Sequence, residues 1–226
     1  TGVQQREHRI AMDLQAALIP SSVDPVPGLD IGFVMRPALD EALIGGDFFD
    51  VYSLDKNLYA LVIGDVSGKG LEAAAQLALV RNSLRTCLYL CPAPSDALTV
   101  LNSIITSNEL LRGFVTLFVG VYDSSAGTLT YSSCGHEPAL LRRCADDSVE
   151  RLWTQGLPIG VSPVCEYVQE MVSLEEGDTL LLYTDGISEA GPSRKDMIET
   201  EGVVKLLSER TDLRDPMTAV SRMVNE

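Results

Sequence analysis

Three short segments of the chain share one design: an apolar run ends, an aspartate follows, and glycine stands beside it. They are Ile44-Gly45-Gly46-Asp47, Ile63-Gly64-Asp65-Val66-Ser67-Gly68-Lys69-Gly70 and Leu182-Tyr183-Thr184-Asp185-Gly186. A carboxylate at the mouth of a buried strand has lost much of its water and is stabilised by a cation. Adjacent glycine lets backbone approach closely enough for a carbonyl to ligate as well. Hard oxygen donors without a His or Cys cluster select magnesium, manganese or calcium. One such Asp-Gly would be an ordinary turn. Three at strand ends point to a metal centre on Asp47, Asp65 and Asp185.

Other chemistries fail on count. Gly64 to Gly70 superficially resembles a phosphate-binding loop, but the spacing before Lys69 is one residue short and Gly70 stands where Ser or Thr belongs. The two histidines, His8 and His136, make no His-Glu-x-x-His, and no Gly-x-Ser-x-Gly elbow accompanies His136. Within Cys134-Gly135-His136-Glu137-Pro138 the histidine reads as a turn or core residue rather than a general acid. Cys87, Cys91, Cys134, Cys144 and Cys165 are odd in number and lack a Cys-x-x-Cys pair, so neither a disulfide framework nor a zinc site is expected.

Over the 226 residues, 32 acidic side chains against 17 basic ones give a formal charge of -15, which disfavours a nucleic-acid partner and suits divalent cations. No stretch approaches the ~18 uninterrupted apolar residues of a membrane span, and no signal peptide opens the chain, so the sequence reads as cytoplasmic with no membrane insertion.

The elements that must position these aspartates follow from periodicity. Strand patterns occupy 30–36, 47–54 and 58–65, the last so uniformly apolar that both faces must be covered. An Ala/Leu-rich helix runs over 71–90 with Leu77, Val80, Leu84 and Leu88 on one face, and a second over 95–111 with Ser95 as its N-cap. Strands return at 114–122, 129–134, 139–142, 166–174 and 179–184, and helices at 201–209 and 216–225. Sequential hairpins with two long helices between them point to an α+β fold of two mainly antiparallel sheets packed as a sandwich, with helices outside. At the start, Ile10, Leu14, Ala17 and Leu18 form a narrow stripe on a helix over 4–18, closed by Pro20. That helix is expected to be a linker or regulatory segment (1–22), ahead of one domain over 23–226.

The ordered set GGDFFD, GDVSGKG before an Ala-rich helix, YSSCGHEPALL, GLPIGV and GDTLLLYTDGISEA resembles the SpoIIE/RsbU branch of the metal-dependent (PPM) serine/threonine protein phosphatases. The resemblance runs from about Arg6 to Asn225. It implies a β-sandwich between two helical layers and hydrolysis of phosphoserine or phosphothreonine with two manganese or magnesium ions. Carried over, Asp65 would bridge the two metals, the Val66 carbonyl would ligate one, Asp185 would bind the other, and Asp47 would bind a metal or orient its waters. Glycines 45, 46, 64, 68, 70 and 186 would be geometric. The implied substrate is a phosphorylated anti-anti-sigma protein of the STAS type.

Two departures stand out. The family's further metal-binding aspartate, in a strand after a helix like 216–225, is not reached, and Ser67 stands where eukaryotic relatives carry a histidine. The first keeps open a rival class, a pseudophosphatase acting as a signalling or dimerisation module. The opening at Thr1-Gly2 without Met suggests a piece of a longer protein with an upstream sensor domain, and the helix over 4–18 a possible homodimer contact.

Overall fold

Strand β2, Leu58–Val66, is apolar along both faces because a layer lies against each. The computed structural model describes residues 22–35, 46–190, 197–209 and 215–223. On one side Ala60, Val62 and Val66 pack against helices α1 (Leu71–Leu90) and α2 (Pro94–Ser107); on the other Leu61 and Ile63 meet a second sheet. Strands β1 (Asp47–Ser53), β3 (Val115–Asp123), β4 (Thr128–Cys134) and β7 (Glu170–Ser173) complete a five-stranded sheet in the order β1-β2-β3-β4-β7, antiparallel throughout. The second sheet is antiparallel too, with β5 (Ala139–Arg142) between β6 (Val149–Leu152) and β8 (Thr179–Leu181).

Each layer follows from sequence spacing. In α1 the residues Leu77, Val80, Leu84 and Leu88 recur every three or four positions and are at most 1% exposed. Burying side chains of this size is worth about 1.5–3 kcal/mol each. Strand β5 is covered on both faces: Ala139 and Leu141 point into the sandwich, while Leu140 packs outward with Tyr183 and with Val203 and Leu207 of α4 (Glu199–Ser208). The order of layers is therefore helix, sheet, sheet, helix. A one-turn helix α3 (Asp185–Ser188) precedes α4, and α5 (Pro216–Met223) follows it.

Strand β1 carries an aspartate on its helix-facing side. Asp50, 1% exposed, accepts from Arg85 Nε at 2.6 Å and Nη2 at 2.7 Å, a two-pronged pair, and from Arg81 Nη2 at 3.2 Å. The Arg85 guanidinium lies 4.3 Å above the Tyr52 ring. These contacts fasten α1 to the sheet.

Several boundaries differ from those the sequence implies. Residues 30–35 form no ladder: the Gly32 backbone lies against the start of α5, and the Phe33 ring sits 4.7 Å from that of Phe49. Ser95 is not an N-cap, because α2 begins at Pro94 and Ser95 donates from both N and Oγ to Gln169 Oε1 at 3.2 and 3.0 Å. Of the strand expected over 166–174 only Glu170–Ser173 pairs; upstream, the Val168 carbonyl accepts from Ser132 Oγ at 2.7 Å instead of from a ladder. Strand β6, not expected, pairs with β5. The helix over 4–18 and its suggested dimer contact, with Gly45 of the first motif, lie outside the described residues. No helix among the described residues is long and apolar enough to cross a membrane.

Candidate metal centre

Asp47 opens β1, Asp65 is the penultimate residue of β2, and the antiparallel register sets them directly opposite each other. Both stand on the face that carries Ile63 and Leu61, toward the second sheet. Side chains so paired have Cβ atoms about 4.5–5.5 Å apart, where two like charges repel. From the other sheet, β8 ends at Leu181 and the chain delivers Thr184 and Asp185. Thr184 Oγ1 donates to Asp47 Oδ2 at 3.1 Å, so one hydrogen bond ties the two halves of the sandwich at the site.

The electrostatics follow from this crowding. Burial pushes the Asp47 carboxyl up to about 7; the negative charge of Asp65 adds to this, the Thr184 bond works against it, and Asp185 contributes least. Asp65 is raised too, by burial first and then by Asp185. Among the described residues no Lys or Arg forms an ion pair with any of the three aspartates. Crowded, partly buried carboxylates like those of Asp47 and Asp65 take up a proton or a cation.

The backbone is shaped around the same point. A Cβ on Gly46 would collide with the Val66 carbonyl oxygen and come within 2.7 Å of Asp65 Oδ1, so only glycine lets β1 run this close. Val66 N donates to the Gly46 carbonyl at 3.1 Å. Ser67 exchanges two hydrogen bonds with Phe114, N to carbonyl at 2.9 Å and Phe114 N to Oγ at 2.8 Å, which makes it a structural residue. Gly186, by contrast, has room for a side chain, its only neighbour among the described residues being Thr184 Oγ1 at 3.9 Å.

Asp47, Asp65 and Asp185 are thus brought into one electrostatic neighbourhood, but no three His, Cys, Asp or Glu among the described residues form a closed cage. Two facing carboxylates with a backbone carbonyl beside them are a hard, open donor set. It fits magnesium or manganese, since Mg²⁺ keeps several waters and takes one or two carboxylates, while soft donors are lacking. Sequence reasoning missed Thr184, the partner of Asp47. His136, read from the sequence as a turn or core residue, is such a residue and lies beside the site: its Nδ1 is 3.0 Å from Oγ1 of Thr116, the cross-strand partner of Asp65, and burial pushes the ring down to about 4.

Comparison with known proteins agrees with this fold. The family model for Stage II sporulation protein E (SpoIIE) matches residues 55–226, a span that includes Asp65 and Asp185 and begins after Asp47. Phosphoserine phosphatase RsbU of Bacillus subtilis (strain 168) is 30% identical over 211 residues, covering 92% of this chain and 62% of RsbU. The crystal structure of the RsbU and RsbW domains of a Mycobacterium tuberculosis protein superposes with a TM-score of 0.63 at 28% identity, over 81% of this chain and 51% of that one. The SiaA-PP2C domain of Pseudomonas aeruginosa shares the fold with a TM-score of 0.75 at 16% identity, over 99% of this chain and 88% of that one. Two antiparallel sheets between helical layers are the fold shared with these PP2C (PPM) phosphatase domain structures. The chain belongs to the SpoIIE family.

Proposed function

We propose that this chain is a metal-dependent protein phosphatase domain that hydrolyses phosphoserine or phosphothreonine with two divalent cations, manganese or magnesium. Its substrate in this reading is a phosphorylated anti-anti-sigma protein of the STAS type, met in the cytoplasm. One observation carries it: Asp47 and Asp65 face each other, Asp185 is delivered from the opposite sheet, and none is paired with a basic side chain among the described residues. Asp65, which faces Asp47 and feels the charge of Asp185, would be shared between the ions, with Asp47, Asp185 and the Val66 carbonyl completing the protein ligands. Cations held there would supply an acidified attacking water and neutralise phosphoryl oxygens. The chain's own part is to hold Asp47 in place through Thr184 and to keep its carboxylates short of water. The name phosphoserine phosphatase carried by RsbU supports the reaction, and the pairing of RsbU and RsbW domains in the mycobacterial chain supports a place in sigma-factor regulation.

The test is turnover of a phosphoserine-bearing STAS domain and of a chromogenic phosphate ester, with Mn²⁺, Mg²⁺, Zn²⁺ and after chelation. Turnover should vanish on chelation and return with Mn²⁺ or Mg²⁺. Asp65→Asn should lower it on the order of 10³-fold, about 4 kcal/mol in the barrier. Activity that survives exhaustive chelation would sink the metal mechanism. A folded chain inactive with every metal would instead be a signalling module, and preference for the small ester would redirect the substrate.

A further inference from the structure

The connection from β4 to β5, Cys134-Gly135-His136-Glu137-Pro138, carries two polar side chains that the metal ligands do not explain. His136 Nδ1 lies 3.0 Å from Thr116 Oγ1, and Thr116 is paired with Asp65 across β2 and β3, so the ring abuts the sheet that bears Asp47 and Asp65. The same ring meets the backbone of Tyr183, two residues ahead of Asp185. Its Nε2 is buried without a hydrogen-bond partner among the described residues. The next residue reaches further round. Glu137 Oε1 accepts from Ser188 Oγ at 3.2 Å on α3, and Oε2 from Thr200 Oγ1 at 3.3 Å on α4.

Asp185 has need of such support. It is exposed, it follows a three-residue strand, and it opens a helix of four residues, too short to hold itself by its own hydrogen bonds. Its place must therefore be set by side chains from elsewhere. Ser188, the last residue of that helix, is 6% exposed and turned toward Glu137. Burial keeps the His136 ring neutral, so it acts as a spacer between the sheets without adding a cation that would compete for the carboxylates.

We propose that His136 and Glu137 are positioning residues that fix Asp185 relative to the Asp47–Asp65 pair and thereby set the affinity of the site for a divalent cation. This rests on the metal reading above. Partners one layer behind metal ligands typically govern affinity by about 10- to 100-fold.

The experiment measures Mn²⁺ binding by titration calorimetry and by the paramagnetic resonance signal of free Mn²⁺. It uses the parent chain, His136→Ala, Glu137→Ala, Glu137→Gln and Ser188→Ala, each with a metal-free thermal melt. His136→Ala, Glu137→Ala and Ser188→Ala should each weaken Mn²⁺ binding by about 10- to 100-fold. Glu137→Gln, which keeps an oxygen acceptor, should recover part of the loss. Ser188→Ala removes one hydroxyl, so it remains informative if Glu137→Ala does not fold. Folded variants that bind Mn²⁺ as the parent does, even with lowered melting temperatures, would show a purely structural role and overturn the proposal while leaving the metal reading intact. A parent chain that binds no Mn²⁺ would overturn both.

Discussion

Asp47 and Asp50 stand three residues apart on β1 and face opposite sides of the five-stranded sheet. Asp50 is buried against α1 and held by Arg81 and Arg85, whereas Asp47 shares its surroundings with Asp65 and Asp185 and no paired cation among the described residues. The alternation of a strand sends two chemically identical side chains into two unrelated systems. One is neutralised by the protein itself; the other is left needing a counter-charge.

Asp50→Ala should therefore act on stability. It strands Arg81 and Arg85, whose side chains are 14% and 32% exposed. Breaking one partner of a buried ion pair costs about 3–5 kcal/mol, and the partial exposure of Arg85 places the expected loss near the lower end, about 3 kcal/mol. Urea unfolding measures it. Mn²⁺ affinity of the folded protein should stay at the parent value, because the substituted side chain lies on the far face of the sheet. A stable variant that had lost metal binding would contradict this division.

Asp47 predicts a pH dependence of definite sign. Its ordinary value of 3.8 is pushed up to about 7 on folding, so between those values the folded chain binds more proton than the unfolded one. Its contribution to metal-free stability is then fully present below about pH 4, falls as pH rises, and is gone above about pH 7. Urea melts of the parent minus those of Asp47→Asn should show that decline. With Mn²⁺ the trend reverses: the ion must displace the proton, so apparent affinity should climb toward about pH 7 and then level. A metal-free difference that grows with pH would refute the assignment.

Gly46→Ala is expected to damage both stability and the site. The added methyl meets the Val66 carbonyl, a backbone atom that cannot swing away, and approaches Asp65 Oδ1 to 2.7 Å. Overpacking of this kind costs about 1–3 kcal/mol. Mn²⁺ affinity should fall along with the melting temperature. Gly186→Ala, at a glycine that meets nothing closer than Thr184 Oγ1 at 3.9 Å among the described residues, serves as the contrast and should keep its melting temperature.

Much of the architecture was legible because it rests on local periodicity. The uninterrupted apolar run of β2 announced a strand covered on both sides, and the three-and-four spacing from Leu77 to Leu88 defined α1 to the residue. What could not be read depends on partners distant in sequence. Strand β6, Val-Glu-Arg-Leu, is half charged and pairs only because β5 offers an edge. Residues 166–169 look like strand but give carbonyls and side chains to Ser132 and Ser95 instead. The aspartates of the site were visible as a pattern, whereas Thr184, Thr116 and Glu137 belong to it only through contacts 137, 20, and 51 and 63 residues away, respectively. A Thr-Asp step or a Gly-His-Glu-Pro turn gives no sign of such reach.

The pairing of Asp47 with Asp65 also governs how the gene can change. Because neighbouring side chains on a strand point to opposite faces, a single codon inserted within β1 would shift every residue on one side of it to the other face, so that Asp47 and the residues after the insertion could no longer both keep their places. An insertion in the tight connection at Asp55, Lys56 and Asn57 would leave the ladder in step, since the strands on either side keep their own alternation. Length variation among descendants of this sequence should accordingly collect in that connection and avoid the seven residues of β1, where a gain or loss of one residue is a change of chemistry.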